Sequence, residues 1–426
     1  MIYLRALLGI VFFIAMAWVL SSDRKRFQWR VVAGGVVLQL AIAWVILDTA
    51  VGRQFFAGAS GIVTKLVSLT KPGARMVFGS LADGDGAAGF IFAFAGTGLV
   101  VIIFFSALMS VLYHFGVMQV AVWVVAKVMS KTMGLSGGES MAAAANIFVG
   151  QTEAPLVVKP YVAKMTMSEL NALMTGGFAT IAGSVMAVYM SKDVLGEQYG
   201  AHLITASVMS APASFAMAKI MRPETEVSET AGKVELRIDR TAGNVIEAAA
   251  NGTSDGLKLW LNVIAMLIAF VALVALVNWP IGAFGDWLHG LGVIDGELSL
   301  DRIFGWVLAP VAWVMGVEGA HDCGLFGSLL GRMISTNEFM AYMQLKEYDP
   351  ANGGAIVFES ARSAKMAAYA LCGFANFASI GIQIGGISAL APERKADLSK
   401  LALKAMIGGA FACWMTATIA GVFLEA

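Results

Sequence analysis

ESMAAAANIFVGQTEAPLVVKP, residues 139–160, is too apolar for a surface loop and too polar for a membrane span. It joins four alanines at 142–145 to Glu139, Asn146, Gln151 and Glu153, and Pro155 and Pro160 interrupt it. Gln151, Thr152 and Glu153 are consecutive, and consecutive side chains on one helix diverge by about 100°. They can face one cavity at a hairpin tip, where a second helix begins and its first N–H groups are free. The alternative is a capped helix start, with Thr152 as the cap and its neighbours in water. The surroundings decide between the two.

Those surroundings are membrane. Hydrophobic residues make up 58% of the 426-residue chain and charged residues 14%, against about a quarter charged in an ordinary soluble domain. Mean hydropathy is +0.76. Windows long and apolar enough for a spanning helix fall at 2–22, 31–50, 89–113, 168–190, 201–220, 259–279, 366–390 and 402–424, which predicts eight transmembrane helices. The first window is not read as a cleavable signal peptide, because Arg5 is its only early cation and the basic cluster follows the apolar run. That cluster, Arg24, Lys25, Arg26 and Arg30, holds its end in the cytoplasm and leaves the N-terminus outside. Eight crossings put the C-terminus outside as well. Lys219, Arg222, Lys233, Arg237 and Arg240 then fall inside, with Arg394, Lys395, Lys400 and Lys404. Arg53, Lys65, Lys71 and Arg75, in an outer connection over 51–88, run against the bias. A formal net charge of zero without a long basic run argues against nucleic acid as a partner. Cys323, Cys372 and Cys413 suggest neither a disulfide framework nor a metal site.

A second stretch shares the character of the first. Residues 318–342 contain Asp322, Arg332, Asn337 and Glu338. Ionisable groups at membrane depth persist mainly where they face protein or a watery cavity, and non-helical backbone obeys the same restriction. Both stretches, 136–164 and 318–342, are therefore read as re-entrant hairpins. Each follows a segment short or amphipathic enough to lie at the interface, near 118–133 and 303–317, the latter carrying Pro310. Met118 to Glu153 and Ile303 to Glu338 are each 35 positions apart. Each hairpin precedes a helix with a polar or glycine-rich break, TIAGS at 180–184 and NFASIGIQIGG at 376–386. Three predicted spans separate the hairpins, so the second enters from the opposite face. The expected fold is an all-α polytopic membrane protein, with eight transmembrane helices and two opposed hairpins in an inverted repeat. A short helix over 243–257 continues the cytoplasmic loop.

The polar motifs each admit a bland reading. STNEF (335–339) repeats the make-up of GQTEAP (150–155), and its Glu338 could be paired with Arg332 for structural reasons. Asn376 and Ser379 could be packing glue between helices, and Phe374 could be core. Asn146 and Thr180 offer neutral oxygens near helix breaks, where freed carbonyls could complete a cage for Na⁺. GLSGG at 134–138 contains the GxSG pattern of intramembrane serine proteases. That chemistry needs a histidine at Ser136; of His114, His202, His289 and His321 only His114 and His202 lie near span ends, and neither has an evident orienting carboxylate. A glycine-rich turn is the simpler reading. A channel would show a continuous polar stripe, whereas these residues cluster at two hairpins and two broken helices.

ESMAAAANIFVGQTEAPLVVKP, TNEF (336–339) and CGFANFASIGI (372–382) closely resemble the concentrative nucleoside transporter family, and the similarity covers nearly the whole chain. The resemblance implies sodium-coupled symport of a nucleoside such as uridine in a bacterial inner membrane, without an organic cofactor or catalytic residues. It implies a homotrimer of eight-span protomers in the lipid bilayer, each with a scaffold domain and a transport domain. On this reading 1–115 holds scaffold helices and the outer connection, and 116–222 the first transport repeat. A cytoplasmic loop and a further scaffold helix occupy 223–300, and the second transport repeat 301–426. Gln151, Thr152 and Glu153 match positions facing the nucleobase, with Gly150 and Val185 beside them. Glu338, Asn376 and Ser379 match positions holding the ribose hydroxyls, with Phe374 adjacent. Asn146, Val149, Thr180 and Ile181 match the sodium site, two through side chains and two through carbonyls. Thr180 stands where relatives carry Ser, and Glu318-Gly319 where many carry Pro-Trp. Proton coupling through Glu153 or Glu338 is the main competing mechanism.

Overall fold

Helices alone, with short turns between them, make up the regular structure among the described residues. A computed structural model describes residues 2–83, 99–191, 194–231, 242–294, 296–352, 354 and 356–424. The expected cytoplasmic cations Lys233, Arg237 and Arg240, and the first part of the 89–113 window, lie outside the described residues. In chain order come α1 (Ile2–Val19), α2 (Trp29–Ala43), α3 (Ala50–Phe78), α4 (Val101–His114) and α5 (Val117–Met133). Next are α6 (Gly137–Asn146), α7 (Ala154–Val157), α8 (Lys159–Val162), α9 (Met167–Ala179), α10 (Gly183–Tyr189), α11 (Gly200–Met221) and α12 (Val245–Gly290). The last are α13 (Leu300–Met315), α14 (Ala320–Ser335), α15 (Glu338–Tyr348), α16 (Ala361–Ala370), α17 (Phe377–Ser388) and α18 (Lys395–Phe423).

Six of the described helical stretches are long and apolar enough to cross a membrane, and eight if each of two bent pairs counts as one span. The bent pairs are α4 with α5, at 78°, and α13 with α14, at 111°. The two segments read as interfacial therefore do turn sharply away from their neighbours. The expected hairpins are α6 with α7 and α8, and α14 with α15. The first expected helix break is present, between α9 and α10 at 180–182. The second lies at 371–376, upstream of the expected 376–386, because Asn376 caps α17 and the glycine-rich run beyond it stays helical over Phe377–Ser388.

Two expectations need correction. The connection over 51–88 is mostly a 29-residue helix, α3, started by a Thr49 side chain that accepts from the Gly52 N–H. Its signal was a seven-residue apolar spacing, Phe55, Ile62, Leu69 and Met76, all exposed. The short helix at 243–257 and the span at 259–279 are one continuous 46-residue helix, α12. Pro280 lies inside it without ending it.

Packing is closest where glycine removes the side chain. A Cβ at Gly252 would stand 2.6 Å from the Ser106 carbonyl oxygen, and one at Gly256 2.7 Å from Ile103 Cα, so α12 lies directly on α4. α1 and α2 instead pack on α18 and α11: Phe13 meets Phe411 and Trp414, and the buried Gln39 donates to Thr416 Oγ1 at 2.9 Å. At the entry to the second hairpin, Gly319 adopts φ +75, a conformation few residues but glycine take. Asp322, one turn into α14, accepts from the Glu359 and Ser360 N–H groups at 2.8 and 3.2 Å. The Glu318-Gly319 sequence thus makes a turn here at a φ that a tryptophan at 319 would take only under strain.

One end of the first hairpin is held by buried charge. α6 and α9 each begin with a capping box, Ser136 with Glu139 and Thr166 with Glu169. Lys219 of α11 pairs with Glu139, and both are almost fully buried. The segment after α11 straps across these helix starts: Thr230 O accepts from Gly137 N at 2.9 Å, and Ser228 donates to Glu169 at 2.5 Å. Ser136 is occupied as a cap and donates to Glu139 at 3.1 Å and to Glu169 at 2.6 Å. Its recorded side-chain partners are thus carboxylates rather than a histidine base, and the glycine-rich turn is the reading of GLSGG that the geometry supports. Lys219→Met would leave Glu139 buried without its cation and should lower unfolding free energy by about 3–5 kcal/mol. Thermal unfolding in detergent checks this, and Glu139→Gln added to Lys219→Met should recover most of the loss.

Candidate functional site

The first hairpin turns over because its tip supplies its own partner. α6 stops at Asn146, and Gly150 donates its N–H to Glu153 Oε2 at 2.9 Å. Pro155 then sits in the first turn of α7, where its missing N–H is no loss. Thr152 makes no cap and stands exposed, so the capped-start reading fails. At the second tip Asn337 caps α15 by accepting from Met340 N at 2.9 Å, which leaves Glu338 at the helix start.

Glu338 is held from two sides. The Tyr189 hydroxyl, at the end of α10, donates to Oε1 at 2.7 Å. Asn376 Nδ2, at the start of α17, donates to Oε2 at 2.9 Å. Asn376 Oδ1 accepts from the Ser379 N–H at 2.9 Å, so one amide both caps α17 and orients the carboxylate. Arg332 pairs with Asp301 of α13, which removes the alternative reading of a structural Arg332–Glu338 bridge. Across the site, Gln151 Nε2 donates to Ser379 Oγ at 3.2 Å. Gln383 Nε2 donates to Gln151 Oε1 at 3.0 Å and to the Met174 carbonyl at 3.1 Å. The pattern is reciprocal. The first hairpin tip bonds to α17 in the second half, and the second tip bonds to α10 in the first.

These groups surround a cavity of about 720 Å³. Gly150, Gln151, Thr152, Glu153, Val185, Glu338, Phe374, Asn376 and Ser379 all line it. So does Asn337, noted above in the second hairpin stretch, together with Tyr189 and, from α12, Asp255, Lys258 and Asn262, four residues that were not singled out from sequence. Gln383, which bridges behind Gln151, was also missed. Its signal was available: Asn376, Ser379 and Gln383 follow at steps of three and four, one face of a helix. Tyr189 ends a run with no polar pattern, and nothing local marks it.

Asn146, Val149, Thr180 and Ile181 lie beside the cavity without lining it, all but fully buried. Phe148 O accepts from Gly183 N at 3.1 Å, which draws the hairpin turn against the helix break. A Cβ at Gly176 would stand 3.1 Å from Asn146 Nδ2, so the amide abuts the last turn of α9. Both carboxamide atoms of Asn146 lack a hydrogen-bond partner among the described residues, which is unusual for a group so deeply buried. Thr180 Oγ1 donates to Gly176 O at 2.9 Å and keeps its lone pairs. Neutral oxygens at a break, with an unanswered amide, suit a hard monovalent cation. Among the described residues no cluster of three or more His, Cys, Asp or Glu side chains could hold another kind of metal.

Comparison with known proteins follows the same lines. Residues 202–421 match a family described as "Na+ dependent nucleoside transporter C-terminus", 8–81 its N-terminal counterpart, and 97–192 one described as "Nucleoside recognition". The chain is 43% identical to an uncharacterized transporter of Haemophilus influenzae, over 99% of this chain and 98% of that one. It is 39% identical to sodium/nucleoside cotransporter 1 of Rattus norvegicus, over 97% of this chain and 63% of the rat protein's length. Among solved structures it is similar to CNTnw in an inward-facing substrate-bound state, with TM-score 0.89 and 40% identity, covering 99% and 98% of the two chains.

Gln383→Leu would leave Gln151 Oε1 and the Met174 carbonyl without their shared donor. It should destabilise the protein by about 1–3 kcal/mol, seen as earlier thermal unfolding in detergent. An unchanged unfolding temperature would show that this bridge is dispensable.

Proposed function

Because the chain belongs to the Na⁺ dependent nucleoside transporter family, we propose that it carries nucleosides such as uridine into the cell by sodium-coupled symport with alternating access. The observation that carries this reading is the placement of Glu338 between Tyr189 and Asn376, across the cavity from Gln151. A ribose brings hydroxyl donors, which a buried carboxylate accepts, and Asn376 and Ser379 complete that end. A base brings a flat face and a polar edge, which Gln151 and Thr152 can read beside Val185. In a pocket from which water is displaced, an analogue lacking the matching group leaves a buried partner unanswered.

Sodium belongs beside the substrate rather than on it. In this proposal Asn146 and Thr180 give side-chain oxygens, and Val149 and Ile181 give carbonyls. Bound there, Na⁺ supplies charge that fixes the first hairpin against the α9–α10 break, and with it the adjoining Gly150–Glu153 tip. One positive charge carried through 100 mV contributes about 2.3 kcal/mol, or roughly fifty-fold accumulation. One ion per nucleoside is enough for uptake.

The moving part in this proposal is the pair of repeats, 116–222 and 301–426, and α12 with α4 forms the stationary wall. The packing of α1 and α2 on α11 and α18 supports counting them with the moving helices, which narrows the scaffold expected over 1–115. Assembly as a homotrimer in the bacterial inner membrane, with both termini outside, completes the proposal.

Two experiments test it. Glu338→Gln should reduce uridine uptake in proteoliposomes by at least tenfold, with the protein still folded, because the ribose loses its anionic acceptor; wild-type uptake would remove Glu338 from the site. Uptake should require Na⁺ and survive collapse of a proton gradient, and Thr180→Ala should raise the half-saturating Na⁺ concentration with uridine affinity falling in step, since linkage is reciprocal. Full uptake without Na⁺ that stops with a protonophore would move coupling to Glu153 or Glu338.

A further inference from the structure

The cavity has a second polar wall that the nucleoside contacts above do not use. α12 presents one face to α4 through Gly252 and Gly256. Asp255, Lys258 and Asn262 follow at steps of three and four on a different face, and all three line the cavity. Lys258 Nζ stands 3.3 Å from Asp255 Oδ1, with the side chains 74% and 72% exposed. So exposed a pair does little to hold a helix that is already fixed along α4. Its place in the cavity needs another account.

Charge supplies one. Among the described lining residues Lys258 is the only cation, whereas Asp255, Glu153 and Glu338 are carboxylates. We propose that the Asp255–Lys258 pair is a charge filter that makes the cavity specific for uncharged nucleosides over their phosphates. This rests on the nucleoside reading of the cavity. A 5′-phosphate brings close to two negative charges at neutral pH and three acceptor oxygens, and it binds where a lysine or arginine is free to meet it. Here the ammonium arrives already paired, and the carboxylate that pairs it adds to the negative field facing the anion. Discrimination of this kind works by a repulsive element as much as by an attractive one. Glu338 and Glu153 have other partners, in Tyr189 with Asn376 and in Gly150. Asp255 is the carboxylate whose recorded partner is the lysine itself.

The test is calorimetric titration of the purified full-length protein with uridine 5′-monophosphate and, separately, with uridine. Asp255→Asn releases Lys258, and affinity for the monophosphate should rise at least tenfold over wild type. Adding Lys258→Gln should abolish that gain, because the receiving charge is then gone. Monophosphate affinity unchanged in Asp255→Asn would overturn the filter, and so would a gain that persists in the double variant. Wild-type protein that binds the monophosphate as tightly as uridine would overturn it too. Failure of uridine to bind wild type would instead sink the nucleoside reading, and the filter with it, an outcome distinct from uridine binding with no monophosphate gain, which sinks the filter alone.

Discussion

A helix that stops inside an apolar layer leaves carbonyls and N–H groups that water cannot reach, and other parts of the chain have to answer them. Here that demand arises at two hairpin tips and two helix breaks. Cys413 of α18 meets it at both breaks, with its thiol 3.4 Å from the Ala179 carbonyl and 3.2 Å from the Cys372 carbonyl. The breaks therefore sit back to back. Gly373 and Gly409 permit this contact, since a Cβ at either would meet Phe178 at 2.5 Å or less. The same requirement builds the site. Asn376 is needed to start α17, and its other end is then available to Glu338. Polar side chains recruited to finish helices thereby converge in the cavity.

Much of this was legible because the membrane makes polar residues conspicuous. Glu139, Gln151, Glu153 and Glu338 stand out against alanine and valine, and the equal spacing in the two halves pointed to the stretches where the two bent helix pairs lie. GQTEAP and NFAS gave residues that line one cavity. The residues proposed for sodium were legible only through the family resemblance, since one asparagine and one threonine near breaks form a weak pattern.

What escaped had physical reasons. α3 is amphipathic with a seven-residue stripe, and a search for continuous apolar windows passes over such a helix. α12 joins a polar start to an apolar end, so windows cut it in two. Tyr189 is found only by knowing which hairpin it meets, a contact across 149 positions. Asp255 fell in the expected loop helix and Asn262 in the expected span after it, and nothing in their neighbourhood shows that a cavity lies opposite.

The length of α12 has a further bearing. At 1.5 Å per residue, its 46 residues extend for about 69 Å, more than twice the roughly 30 Å of hydrocarbon in a bilayer. Along the side that faces the cavity, its residues change from Asp255 and Lys258, through Asn262, to Ala265 and Ala269. In the proposed mechanism, a solute held by the hairpins and carried along this rod would pass from polar neighbours to apolar ones within about four turns. Hydration would be peeled from the cargo gradually, turn by turn, and restored in the reverse order on the way back. A stationary helix can in this way shape the energy profile of a crossing without ever changing its own conformation.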